Sequence, residues 1–252
     1  MLSKNKIRFI RSLESKKQRT QTGLFVAEGN KLVADLLPFF ECELLVATPS
    51  WMATQGDLPV RELLAAGEDD IARASLLKNP QDVIAVFTQP ERHLDKESLK
   101  NELTLVLDGI QDPGNLGTII RLAAWFGIRN LLVSPDTADV YNPKTVQASM
   151  GGMAHVQVFY ESLPEILEEL QPLPVYGTFL NGRNLYEEEL TAHGLLVMGN
   201  EGNGIRPEVE PHITHRLHIP PFPPGTDTTE SLNVATATAI VCAEFRRRQV
   251  GW

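Results

Sequence analysis

The stretch LTLVLDGIQDPGNLGTIIRLAAWFGIRNLLVS, residues 103–134, decides the fold. LTLVLDG (103–109) is a run of apolar and β-branched residues ended by a charge and a glycine, the composition of a buried strand. Asp112-Pro113-Gly114 is turn chemistry. Residues 116–127 carry apolar residues at helical spacing, with Asn115 positioned as the N-cap. NLLVS (130–134) returns to strand character. A strand, a helix and a second strand in succession call for a parallel pair joined by a crossover. The alternation continues through HVQVFY (155–160), PVYGTF (174–179), GLLVMG (194–199) and RLHIP (216–220). Helical patterns at 143–150, 162–171 and 231–248 lie among them. The expected architecture is α/β, with a mainly parallel sheet covered by helices on both faces.

Residues 1–90 form a separate small α/β unit in this reading. LFVAE (24–28), ELLVAT (43–48) and DVIAVF (82–87) read as strands, and KLVADLLPFF (31–40) and 62–77 as helical. The polar segment 91–102 reads as a linker, and 103–252 as the second domain. The 252 residues carry a net charge of −9, unevenly spread. Residues 1–31 hold eight Lys or Arg against Glu14 and Glu28, a local +6, so the remainder carries −15. A basic arm on an acidic body points to localised phosphate contact or to a solvated first helix. Two cysteines, Cys42 and Cys242, exclude a disulfide framework. The basic N-terminus lacks the apolar core of a signal peptide and no apolar run reaches membrane-spanning length, so the expected location is cytoplasmic.

Three loops that follow strands have unusual composition. In the first, Arg121 stands alone on an apparently all-apolar helix. Helical side chains lean toward the N-terminus, so Arg121 is directed back over Gly117. A buried guanidinium needs a partner, here either a structural carboxylate such as Asp112 or an anionic ligand. The second loop, GNEGNG (199–204), lets backbone approach a ligand closely. Its G-x-x-G-x-G spacing fits neither a dinucleotide fingerprint nor a Walker loop. Glu201 among the glycines suits a cation or a hydroxyl donor rather than an anion, and a tight surface turn is the alternative. The third loop, IPPFPPGTDTTE (219–230), is irregular because its prolines cannot feed a sheet ladder. It leads into SLNVATATAI (231–240), where Ser231 and Asn233 are capping residue types and the small side chains allow close packing.

Together the loops resemble the three signature motifs of the SpoU (TrmH) family of RNA ribose 2′-O-methyltransferases. Asn115, Gly117 and Arg121 match its Asn-x-Gly-x-x-x-Arg motif. Gly199 to Gly204 match Gly-Asn-Glu-Gly-x-Gly, and Ser231 to Val234 match Ser-Leu-Asn-Val, preceded by Ile219-Pro220. KNKIRFIRSL and FVAEGNKLV resemble the family's ribosomal-protein-like substrate-binding domain. The third loop is longer and richer in proline than the family pattern. The resemblance implies a trefoil-knotted catalytic domain, a homodimer, S-adenosyl-L-methionine as cofactor, no metal, and RNA as partner, ribosomal RNA before transfer RNA. It implies a catalytic set of Asn115, Arg121, Glu201, Ser231 and Asn233. It also implies cofactor contacts from Thr178, Gly199, Asn200, Glu201, Gly202, Ile219 and Leu232. Because guanidinium holds its proton in proteins, Arg121 suits a role as phosphate grip and alkoxide stabiliser better than as base.

Other readings are a non-catalytic RNA-binding or assembly factor, which has no need of the full polar set, and a nicotinamide-dependent oxidoreductase, which the glycine spacing opposes. His212, His215 and His218 are spaced by three, but a strand interrupts them and no cysteine completes a zinc pattern.

Overall fold

A computed structural model describes residues 2–223 and 231–250. The chain forms two compact units: Met1–Glu91 with Asp139–Ala154, and Arg92–Ala138 with His155–Trp252. The segment 91–102, expected as a linker, therefore belongs almost wholly to the second unit. It buries Leu99 completely in that unit's core. The excursion Asp139–Ala154, expected in the second domain, clusters with the first unit.

In the first unit the order is α1 (Lys4–Ser12), α2 (Lys16–Thr22), β1 (Leu24–Glu28), α3 (Asn30–Leu36), β2 (Cys42–Ala47), α4 (Pro49–Met52), β3 (Leu63–Ala65), α5 (Glu68–Ala74) and β4 (Val83–Thr88). The four strands are ordered β1-β4-β2-β3, with β4 antiparallel to both neighbours and β3 parallel to β2. One core cluster brings Val26, Val46 and Val86 together with Ile10 and Leu13 of the N-terminal segment and Ile71 of α5. A second group packs Phe25 against Phe87, Phe40 and Tyr141, with centroids 4.9–5.5 Å apart. The contact of Tyr141 with Phe25, the ion pair of Asp139 with Arg19 and the packing of the excursion's helix on β1 join the excursion to this unit. The helix expected over 62–77 is instead the edge strand β3 followed by α5. Leu63 and Ala65 alternate outward along β3, a period of two, and helical spacing begins only after Gly67.

The second unit contains α6 (Lys96–Leu99), β5 (Leu103–Leu107), α7 (Pro113–Trp125), β6 (Asn130–Val133), β7 (Gln157–Tyr160), α9 (Leu163–Glu169), β8 (Val175–Asn184), β9 (Gly194–Met198), β10 (His215–His218) and α10 (Val234–Val250). The helix of the excursion, Pro143–Ser149, is α8. Six parallel strands run in the order β10-β8-β9-β5-β6-β7. All residues of β5, β6 and β9 are buried, which is why these strands read as unbroken apolar runs. The chain winds from β5 toward β7 on one side, then returns to build β8, β9 and β10 on the other. The direction of winding reverses between β5 and β9, and in parallel sheets a crevice opens at the carboxyl ends of such a pair. The loops after β5 and β9 are the first two motif loops.

Of the third loop, residues 224–230 lie outside the described residues. Among the described residues, no helix is long and apolar enough to cross a membrane.

Candidate active site

The first loop departs from expectation in two ways. Helix α7 starts at Pro113, and its N-cap is Asp112, whose Oδ1 accepts from the backbone N–H of Asn115 at 2.9 Å. Proline at the first helical position removes a donor that would otherwise lack a partner. Asn115 is thus inside the first turn with its side chain released from capping. Arg121, expected to be buried, is exposed. Leu116, Gly117, Ile119, Ile120 and Ala123 form the buried face of α7, whereas Thr118, Arg121 and Trp125 look outward, Trp125 being 82% exposed. Counting apolar residues without their phase made the helix seem apolar all round. Arg121 makes no ion pair or hydrogen bond to any described residue, so the structural pairing with Asp112 is not formed.

The second loop is folded tightly on its own backbone. Asn200 and Gly204 exchange N–H···O bonds of 2.9 and 2.8 Å. A Cβ on Gly199 would lie 2.3 Å from the carbonyl carbon of Gly204 and 2.4 Å from the nitrogen of Ile205, so only glycine fits. Gly204 has φ +68°, a conformation suited to glycine. The Asn200 side chain is consumed by structure. Its Oδ1 accepts from the N–H groups of Gly202 at 2.9 Å and Asn203 at 3.2 Å, and its Nδ2 donates to the Gly109 carbonyl at 2.7 Å. The β9 loop is thereby tied to the β5 loop.

A second tie, between Asp108 and Arg206, has no counterpart among the motif residues. Asp108, at the end of β5, is fully buried. Its carboxylate accepts from the Arg206 backbone N–H at 2.8 Å and from Arg206 Nε at 2.6 Å. Arg206 also approaches Asp136 at 3.6 Å, and pairing with Asp108 raises its pKa further. Removing one partner of such a pair strands a buried charge. The signal available in the sequence is a lone carboxylate directly after a buried, mostly apolar strand, which must find a cation or a donor.

The third loop ends at Asn233, not at a helix beginning near residue 231. Helix α10 starts at Val234, and Asn233 Oδ1 accepts from the N–H groups of Ala235 at 3.0 Å and Thr236 at 3.2 Å. Its Nδ2 points the other way and donates to Asn115 Oδ1 and to Glu201 Oε1, both at 3.1 Å. Asn115 Nδ2 also donates to Glu201 Oε1. One side chain from each motif loop therefore meets in a single hydrogen-bonded trio. Glu201 Oε2 has no described partner and the residue is exposed. Helix α10 packs on α7, and Arg246 donates from Nε to the Phe126 carbonyl at 2.7 Å, satisfying the C-terminal end of α7.

The remaining expected positions distribute around the same strand ends. Gly199 directly follows β9 and Ile219 directly follows β10. Thr178, on β8, lies beside the end of β9 with its Oγ1 3.9 Å from Met198 Sδ. Gly202 lies at the tip of the second loop. Ser231 and Leu232 precede Asn233, and Leu232 is 46% exposed. Arg121 is not bonded to the trio. A glycine-rich loop at a winding reversal, with exposed Leu232 next to Asn233, fits a cofactor held through backbone groups.

Residues 102–243 match the profile of the SpoU rRNA methylase family, and residues 4–85 that of the MRM3-like substrate binding domain. The 23S rRNA (guanosine(2553)-2′-O)-methyltransferase RlmP of Bacillus subtilis is 32% identical over 246 residues, 96% of each chain. Among solved structures, a chain from Porphyromonas gingivalis described as a TrmH-family RNA methyltransferase is 44% identical, with TM-score 0.88 over 98% of this chain and 99% of that one. An AdoMet-bound rRNA methyltransferase from Sinorhizobium meliloti is 30% identical, with TM-score 0.82 over 98% and 96%. With the three motif loops joined through Asn115, Glu201 and Asn233 and both halves matched, the chain belongs to the SpoU rRNA methylase family.

Proposed function

We propose that this chain transfers a methyl group from S-adenosyl-L-methionine to a ribose 2′-hydroxyl of ribosomal RNA, in the cytoplasm. The observation that carries the reading is the trio, in which residues 86 and 32 positions apart converge on one carboxylate oxygen. When bound, the cofactor supplies an electrophilic methyl group already activated by its sulfonium, and no metal is required. The backbone of Gly199, Gly202, Ile219 and Leu232, with Thr178, holds it, while Asn200 keeps the loop in shape.

The chain's own residues then have two tasks, alignment and proton removal. Holding reactants in line is worth roughly 7–11 kcal/mol in favourable cases. General-base help adds about two to four powers of ten. Asn115 and Asn233 fix Glu201 through Oε1, leaving Oε2 to accept the hydroxyl proton. Ser231, beside Asn233, completes the polar set. Arg121 keeps its proton; unpaired and exposed, it grips the phosphate next to the target ribose and steadies the negative charge growing on the oxygen. Ribosomal RNA is preferred to transfer RNA because RlmP, similar along nearly the whole chain, is a 23S rRNA enzyme.

A homodimer and a trefoil-knotted second unit belong to the same proposal. Trp125, 82% exposed at the C-terminal end of α7, supports a second copy as its cover. Trp125→Glu is expected to leave a folded monomer, read by light scattering.

The deciding experiment is tritiated methyl incorporation into ribosomal and transfer RNA, followed by mapping of ribose methylation with and without the protein. Incorporation into ribosomal RNA is expected. Incorporation into transfer RNA alone would replace the substrate, and none into either would leave the non-catalytic binder.

A further inference from the structure

The chain's Lys and Arg residues are mostly committed to partners. In the second unit, among the described residues, every one except Arg121 makes a hydrogen bond or ion pair. In the first unit the cations of the helical pair α1–α2 divide into two kinds. Lys6 pairs with Glu62. Arg11 donates to the Ser75 carbonyl at 2.8 Å. Arg19, 2% exposed, donates to the carbonyls of Leu13 at 2.8 Å and Glu14 at 2.7 Å and pairs with Asp139 at 2.6 Å. These three cations pin both helices and the turn between them.

Lys4, Arg8, Lys16 and Lys17 are the other kind. All four are exposed, and none has an ion pair or side-chain hydrogen bond among the described residues. Lys4 and Arg8 are four apart on α1 and so share a face. Glu14 is the single acid within residues 2–22. In a chain with 32 Asp and Glu, four cations left unpaired on a pinned scaffold form a local positive field without internal neutralisation. The groove lined by Thr48, Ser50, Glu68, Asp69, Asp70 and Arg73 in the same unit is net negative and disfavours phosphate.

We infer that the exposed cations of α1–α2 are where the first unit grips the RNA backbone, with Lys4, Arg8, Lys16 and Lys17 each contacting phosphate. The inference rests on the RNA reading above and adds which helices and which cations carry the contact. Phosphate contacts position the RNA without reading its sequence, so target choice is left to other surfaces.

The test is the salt dependence of binding, measured on the full chain by fluorescence anisotropy with a labelled RNA hairpin of about 20 base pairs, long enough to offer several phosphates per face. Lys4→Ala with Arg8→Ala, and Lys16→Ala with Lys17→Ala, are each expected to lower the slope of log affinity against log salt by about 1.8, since each lost contact removes about 0.9 on duplex nucleic acid. Lys78→Ala, an exposed unpaired cation elsewhere in the unit, leaves the slope unchanged. Cofactor binding by calorimetry and thermal unfolding stay as in the parent. Glu14→Gln tightens binding slightly. Unchanged slopes in both double variants, an equal drop with Lys78→Ala, or no hairpin binding by the parent would overturn the inference. If slopes fall while the parent methylates no RNA, the surface stands and the proposed reaction falls. If the parent methylates and the slopes hold, the surface alone falls.

Discussion

At the start of α7, capping and site chemistry are carried by different side chains. Asp112 holds the first turn and Asn115 faces Glu201. At the start of α10 one side chain does both, because Asn233 caps through Oδ1 and reaches the trio through Nδ2. The amide makes this possible, having an acceptor and donors on opposite sides of one planar group. The first arrangement lets stability and activity be altered independently. The second couples them, so the orientation of the trio is set by a bond that the helix itself requires.

The largest effect that sharpens this contrast is expected outside both caps. Arg121→Ala should lower methyl transfer by about 10²- to 10³-fold, the scale of losing one charge-stabilising donor. Because the side chain is exposed and unbonded, the melting temperature should hold; a collapse of the fold would return Arg121 to a structural role. Gly199→Ala comes next. Its Cβ meets backbone at 2.3 Å, so the loop must shift, and calorimetry should show at least about tenfold weaker cofactor binding, the equivalent of about 1.4 kcal/mol.

The contrast itself is tested by Asn115→Ala and Asn233→Ser. Asn115→Ala should reduce turnover by about tenfold or more while stability moves by less than about 0.5 kcal/mol, as for a residue outside the cap and core. Asn233→Ser retains a capping oxygen but is too short to span to Asn115 and Glu201, so activity falls and stability holds. Asn233→Ala loses both, with about 1 kcal/mol of stability. Equal stability losses for Asn115→Ala and Asn233→Ala would erase the difference between the two helix starts. Asp112→Ala is the complement: about 1 kcal/mol of stability with turnover nearly retained.

The smallest effect lies at the far end of α10. Hydrogen bonds from Arg247 and then Arg248 lower the Glu244 pKa from 4.5 to about 2. A depressed carboxylate contributes stability above its unfolded pKa and loses it as pH falls through the folded one. The melting-temperature gap between parent and Glu244→Gln should be widest near neutral pH and close between about 4.5 and about 2.

Much of the second unit was legible because its signals are local. Strands β5, β6 and β9 are buried along their whole length and read as nearly continuous apolar runs, and the motif glycines announced loops where backbone comes close to backbone. Phase and partner are what local signals do not carry. Arg121 faces outward on a helix that looks apolar all round, because the outward stripe of α7 ends in an apolar Trp125. The cap falls on Asp112 and not on Asn115 because α7 begins at Pro113. A strand of three residues, as β3 is, leaves too short a pattern to break the helical spacing of 62–77. A buried ion pair separated by 98 residues, as Asp108 and Arg206 are, leaves no pattern in either segment.

By itself, then, the sequence determined the alternation of strands and helices and the mainly parallel sheet, since side-chain chemistry and spacing act over a few residues. Tertiary structure alone decided which side chain caps each helix, which cations are spent on the fold, and that Asn115, Glu201 and Asn233 share one oxygen. Those outcomes depend on sheet order and on competition among distant donors for the same acceptors, and neither is encoded within any one stretch of chain.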